Sequence, residues 1–239
     1  MSFDLVSTGG VARLTLRRPP VNALDVEMVE RLAEAFVGLA ANPPDVGLIL
    51  SGAGGCFCAG VDTRAFAAYD GGVRARMILA ITAMATQLYA LPCAVVSAVS
   101  GHALGGGFVL MLGADVRLAV DDDDIKLGLT EARAGVPFPA GPLEIIRAEL
   151  SPDLLRRLTL TSETATPAQL HGLGVIDELR SATDIAAAAE ARLRALAGQP
   201  GLRLVKEQVR RATLSKLWAI VASGEDPLIG ALARLSRSA

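Results

Sequence analysis

Hydrophobic and polar positions fall into two alternating patterns along the chain. In FDLVSTGGVARLTLRRP, two short runs of alternating character flank Gly9 and Gly10, which predicts a β-hairpin. From Asp25 to Ala41 the period lengthens. Val26, Val29, Leu32, Ala33, Phe36 and Val37 recur at helical spacing and predict an amphipathic helix. VGLILSG (46–52), CAVVSAVSG (93–101) and VRLAV (116–120) are short apolar runs of the kind that form strands buried on both faces. Helices are predicted between them, over 73–90 and within GGGFVLMLGAD (105–115). Strands that alternate with helices imply an α/β fold with parallel strands.

Beyond Ser151 the pattern is helical, in SPDLLRRLTL, TPAQLHGLG, 186–197 and 201–221. Ser151-Pro152-Asp153 and Thr166-Pro167 are helix starts, each with proline at the first helical position. The chain thus divides into an α/β core over residues 1–180 and a C-terminal helical region over 181–239. Gly71-Gly72 and the acidic run Asp121 to Asp124 are predicted to be exposed loops.

Composition narrows the function classes. The 239 residues are 51% hydrophobic and 20% charged, enough for one sizeable core. A net charge of −2 provides no electrostatic footprint for nucleic acid or an anionic membrane. Three cysteines, an odd number, argue against a disulfide framework and for a reducing compartment. MSFDLVSTGG lacks a basic region followed by an apolar run. The most apolar stretch, Leu88 to Val120, is broken by Pro92, His102, Asp115 and Arg117, so it predicts a buried strand and helix rather than a membrane span. The expectation is a soluble, cytoplasmic protein.

Two segments share a design: GGCFCAGVD (54–62) and SGHALGGGF (100–108). Each follows a buried strand closely and is rich in glycine where the next element begins. Backbone N–H groups at two such junctions, facing one cleft, would hold one oxygen between two donors, an oxyanion hole. Alternatively, the glycines only let a helix pack tightly on the sheet. Neither segment has the G-x-G-x-x-G register of a dinucleotide site, and Phe108-Val109 is not the Lys-Ser/Thr pair of a phosphate loop.

PPVNAL, CFCAGVD, SGHALGGGF, GADVRLA and GLTEARAGVPF stand in the order and spacing of the crotonase superfamily, the enoyl-CoA hydratase/isomerase family. The chain resembles that family from about Phe3 to the LGVIDEL stretch ending at Leu179. The resemblance implies a spiral of ββα units with a helical C-terminal region, assembled as a homotrimer or dimer of trimers. It also implies an acyl-CoA thioester as substrate, with no cofactor beyond the coenzyme A that the substrate carries. By position, the family's two oxyanion N–H groups fall on Cys58 and Gly106. Ala59, Gly60, Val61 and Asp62 fall where the family lines the adenine and pantetheine. Arg18 and, from the C-terminal helices, Lys206 fall near its CoA phosphates.

Hydratases of the family carry two catalytic glutamates. Their positions here hold Val109, two residues past the glycine triplet, and Glu131. Hydration needs a positioned water, a proton taken from it and a proton delivered to C2, a labour that two carboxylates divide. Moving a double bond from position 3 to position 2 needs one base, which takes a C2 proton and returns it at C4 while the thioester oxygen carries charge. An aliphatic residue at the Val109 position, PPVN and the run into one glutamate resemble the Δ3,Δ2-enoyl-CoA isomerases. The expected activity is therefore enoyl-CoA isomerase with Glu131 as acid–base. The alternatives are a hydratase with a nonstandard partner such as Glu144, and a weakly active acyl-CoA-binding homologue.

Other candidates are expected to be structural. Glu144 suits an ion pair, Asp62 the ordering of its loop, and His171 a structural role. Cys58 as a nucleophile, with His102 or His171 as base, would leave the second glycine turn unexplained. The acidic run suits a solvated turn, and no metal site is predicted.

Overall fold

The computed structural model describes residues 2–235. In chain order the elements begin with β1 (Phe3–Thr8), β2 (Val11–Leu16), α1 (Val26–Ala41), β3 (Gly47–Gly52), β4 (Cys56–Cys58), α2 (Thr63–Ala68) and α3 (Gly71–Tyr89). Next come β5 (Val95–Val99), β6 (His102–Leu104), α4 (Gly106–Leu112), β7 (Val116–Val120), β8 (Leu127–Gly128), α5 (Glu131–Ala134) and α6 (Ala140–Glu149). The last are α7 (Pro152–Leu160), β9 (Thr164–Ala165), α8 (Pro167–Gly172), β10 (Glu178–Arg180), α9 (Ile185–Ala197), α10 (Leu202–Ser223) and α11 (Pro227–Leu235).

The hairpin β1–β2 pairs antiparallel from Phe3↔Leu16 to Thr8↔Val11, with Gly9 and Gly10 in its turn. It opens a six-stranded sheet of order β1-β2-β3-β5-β7-β10, parallel from β2 onward. A second sheet of order β4-β6-β8-β9 stacks the short strands that follow β3, β5 and β7. The unit is therefore a long strand, a short strand and a helix, repeated with a turn of the chain each time. This is the ββα spiral expected from the motifs. β3 and β5, flanked on both faces, are apolar along their buried lengths except for Ser97 of β5.

Helix α1 starts where Asp25 accepts a hydrogen bond from Met28 N at 2.8 Å, and it buries Met28, Val29, Leu32 and Phe36 against α3. Helix α3 begins earlier than the apolar period indicates. Gly71 and Gly72, expected in a loop, form its first turn because Asp70 caps the backbone N–H of Val73 at 2.8 Å. A second difference lies beyond Ser151, where β10 joins the main sheet beside β7. At three residues it is too short to stand out from its helical surroundings.

The C-terminal helices are fastened by charge. Asp115, at the start of β7, accepts from Val95 N at 2.8 Å and meets Lys206 Nζ at 2.8 Å and Arg210 at 3.0 Å. Lys206 also donates to the Cys93 carbonyl, and Arg210 lies 4.0 Å over the Tyr89 ring. This corrects the expectation that Lys206 meets CoA phosphates: its side chain is 7% exposed and its charge is spent on Asp115. No helix among the described residues is long and apolar enough to cross a membrane.

Candidate active site

The two glycine turns meet. Gly60, at φ +82°, packs so closely that a Cβ there would lie 2.7 Å from the Leu104 carbonyl and 3.1 Å from the Gly106 nitrogen. The glycine triplet has a separate reason at each position. A Cβ on Gly105, at φ +52°, would approach Glu131 Oε1 to 3.1 Å, and one on Gly107 would strike the Cys58 carbonyl at 2.1 Å. Gly106 is the first residue of α4, so the helix leaves its N–H free.

Across from it, Val61 forms a parallel bridge with Leu24. The bridge is made by its neighbours: Leu24 N donates to Gly60 O and Asp62 N to Leu24 O, each at 2.8 Å. The N–H of Val61 itself therefore faces away from Leu24. Both Val61 and Gly106 line a cavity of about 100 Å³.

Two further residues hold the first turn. Arg18 reaches Asp25 and Asp62 at 3.0 Å each, tying together the caps of α1 and α2. Asn22, at φ 52°, donates from Nδ2 to the carbonyls of Cys56 at 2.7 Å and Ala53 at 2.9 Å. Asp62 also caps α2 through Ala65 N at 3.0 Å. That hydrogen bond, helped by Arg18, holds its carboxyl below the ordinary carboxylate range.

Glu131 opens the four-residue helix α5. The segment is latched to buried Ser162, which accepts from Arg133 N at 3.1 Å and whose carbonyl accepts from the Arg133 guanidinium. Gly135, in the left-handed conformation, ends the turn. The Glu131 carboxylate lines the cavity, and its buried Oε2 has no hydrogen-bond partner. Burial pushes its pKa up to about 7, against a smaller downward pull from the backbone N–H groups of Glu131 and Thr130.

The remaining wall is apolar. Phe66, Ile78, Ile81, Val109, Phe138 and Leu228 bring it together from α2, α3, α4, the segment before α6, and α11. Among the described residues that line this cavity, Glu131 is the only ionisable one.

Of the residues singled out in the sequence, Glu131, Gly106, Ala59, Gly60 and Val61 share this cavity. Cys58 does not line it. Its side chain is fully buried, its backbone backs onto Gly107, and burial pushes its thiol up to about 12. Such a thiol is a poor nucleophile. Arg18 is occupied by two carboxylates, which corrects its expected place at a CoA phosphate. Glu144 is held by Arg147 and by Lys216 at 3.1 Å and lies outside the cavity wall. His102 Nδ1 accepts from Lys126 N at 3.0 Å, and His171 Nδ1 lies 2.9 Å from the Ile176 carbonyl.

Sequence reasoning missed Phe66 and Leu228 as cavity wall, and Ser162 as the latch. The first two sit in helices whose periodicity reports burial without saying against what. For Ser162 the chain carries no local signal.

A largely buried carboxylate with one unpartnered oxygen lines the same small cavity as Val61 and Gly106, an arrangement of the kind that proton-transfer sites use. Comparison with known proteins gives the class its family. The profile of the family described as "Enoyl-CoA hydratase/isomerase" matches residues 7–228, and the chain belongs to it. "Probable enoyl-CoA hydratase EchA17" of Mycobacterium tuberculosis is 34% identical over 198 residues, covering 80% of this chain and 73% of the relative. "Carnitinyl-CoA dehydratase" of Proteus mirabilis is 29% identical over 188 residues, covering 77% and 70%. The solved structure of human mitochondrial delta3-delta2-enoyl-CoA isomerase superposes with a TM-score of 0.84 at 22% identity, over 100% of this chain and 99% of that one. At that identity it speaks for the fold alone.

Proposed function

We propose that this enoyl-CoA hydratase/isomerase family enzyme is an isomerase that moves the double bond of a 3-enoyl-CoA to position 2, with Glu131 as its only acid–base. The observation that carries this reading is the cavity's single ionisable side chain. Glu131, in its charged form, takes the C2 proton. Charge then gathers on the thioester oxygen, which the N–H groups of Val61 and Gly106 are disposed to receive. Protonated Glu131 returns the proton at C4. A pKa near 7 suits a group that must accept and then donate the same proton.

In this account the two donors are Val61 and Gly106, with Cys58 replaced because the cavity wall excludes it. Apolar Val109, 4% exposed, occupies the place where a hydratase would hold its second carboxylate. The apolar wall keeps out the water that hydration would consume.

The names of the two curated relatives favour hydratase as the second reading. Supplying 3-enoyl-CoA and 2-enoyl-CoA separately, while following conjugated-thioester absorbance, separates the two. Absorbance that appears from the first substrate and persists with the second supports isomerase. Loss of the conjugated signal with water uptake sinks it in favour of hydratase.

A further inference from the structure

The cavity at Glu131 is small. A cavity of about 150 Å³ holds one benzene ring, so the roughly 100 Å³ here takes only about the first four carbons of an acyl group. Any longer chain must continue elsewhere.

A groove of about 710 Å³ begins where the cavity ends, and Glu131, Val136, Pro137 and Phe138 line both. It runs between α5, α6 and α7 over Leu143, Pro152, Leu155 and Leu160. Leu160 is 73% exposed, a large apolar side chain facing an open groove. Its charged members other than Glu131 are two arginines, and Arg147 is paired with Glu144.

We infer that this groove receives the hydrocarbon tail of the same thioester, so that the enzyme acts on long-chain acyl-CoA esters. The inference rests on the Glu131 cavity being the thioester site. The occupant is the tail because the groove continues that cavity with one shared wall, and because its surface is apolar where the tail would lie. Phe138 and Pro137 form the sill over which the chain passes.

Affinity for saturated acyl-CoA esters, measured by calorimetry, tests this without requiring turnover. Each methylene that enters the groove should tighten binding by up to about fourfold, so dodecanoyl-CoA should bind at least about tenfold more tightly than butyryl-CoA. Leu155→Trp, which fills the groove, and Leu160→Asp, on an exposed position that tolerates change, should each remove most of that gain. Binding of butyryl-CoA should stay within about twofold of wild type.

Equal affinity for butyryl- and dodecanoyl-CoA overturns the inference. So does a Leu160→Asp chain that changes oligomeric state by sedimentation yet keeps the full gain, since the groove would then be covered by a second copy. A wild-type gain that both variants abolish supports it even if 3-enoyl-CoA is not isomerised. Failure of every ester to bind brings down the thioester site itself, and this inference with it.

Discussion

Two buried carboxylates are treated in opposite ways by this molecule. Asp115 is surrounded: a backbone N–H, an ammonium and a guanidinium all reach it within 3.0 Å. Glu131 instead has a buried, unpartnered Oε2, and its pKa is raised to about 7 against the pull of nearby backbone N–H groups. Burying a charge without partners is unfavourable, and a fold tolerates it where the group must change protonation state. Asp115 fastens helix α10 through Lys206 and Arg210. Glu131 fastens nothing of this kind and lines the cavity instead. Glu144, paired with Arg147 and Lys216, belongs with Asp115 in kind although it is closer to the surface.

The contrast can be broken experimentally at several strengths. Replacing Glu131 with Gln should cut turnover by about a hundredfold to ten-thousandfold, the usual contribution of a positioned acid–base, while acyl-CoA binding stays nearly intact. A steady-state assay beside a binding titration reads both, and retained turnover removes Glu131 from the mechanism. Asp115→Ala should act on stability instead. Lys206 and Arg210 would be left buried without their counter-charge, at a loss of about 3–5 kcal/mol in denaturant unfolding.

Gly105→Ala joins the two regions of effect. A Cβ would crowd Glu131 Oε1 at 3.1 Å and sit at φ +52°. Turnover should fall by up to about a hundredfold for a displacement of about 1 Å, with a loss of about 1–3 kcal/mol in stability from the strained backbone.

The pH dependence of stability has a distinctive sign. Glu131 keeps its proton up to about pH 7 in the folded chain but releases it near the ordinary carboxylate value of 4.5 when unfolded. Below that lower value both states are protonated and no penalty exists. Between the two values stability falls as pH rises, and above about 7 the penalty is complete. Glu131→Gln should therefore stabilise the protein by roughly 3 kcal/mol at about pH 8 and leave it nearly unchanged at about pH 4. The same value sets the lower limb of the pH–rate profile, with kcat/KM falling as pH drops below about 7.

Much of this was legible in the sequence, for reasons that can be stated. Strands β3, β5 and β7 are short, mostly apolar runs, and α1 carries a clear helical period, so local pattern sufficed for them. The short strands β4, β6 and β8, of three, three and two residues, escaped because so few residues carry no period. They form the second sheet that brings the glycine turns together. Glu131 and Gly106 were singled out through the resemblance to the family, and both line the cavity. The direction of the Val61 N–H was not legible, since it depends on the bridge to Leu24. Arg18 and Lys206 were expected at phosphates because a positive charge in sequence does not reveal its partner.

The account's central claim is that one carboxylate carries one proton from C2 to C4. A 3-enoyl-CoA deuterated at C2, converted by wild-type enzyme and analysed by NMR, tests it most directly. Deuterium recovered at C4 of the 2-enoyl product, with no conversion by Glu131→Gln, is the predicted result. Conversion by Glu131→Gln at the wild-type rate, or a 3-hydroxyacyl thioester as the only product, contradicts it.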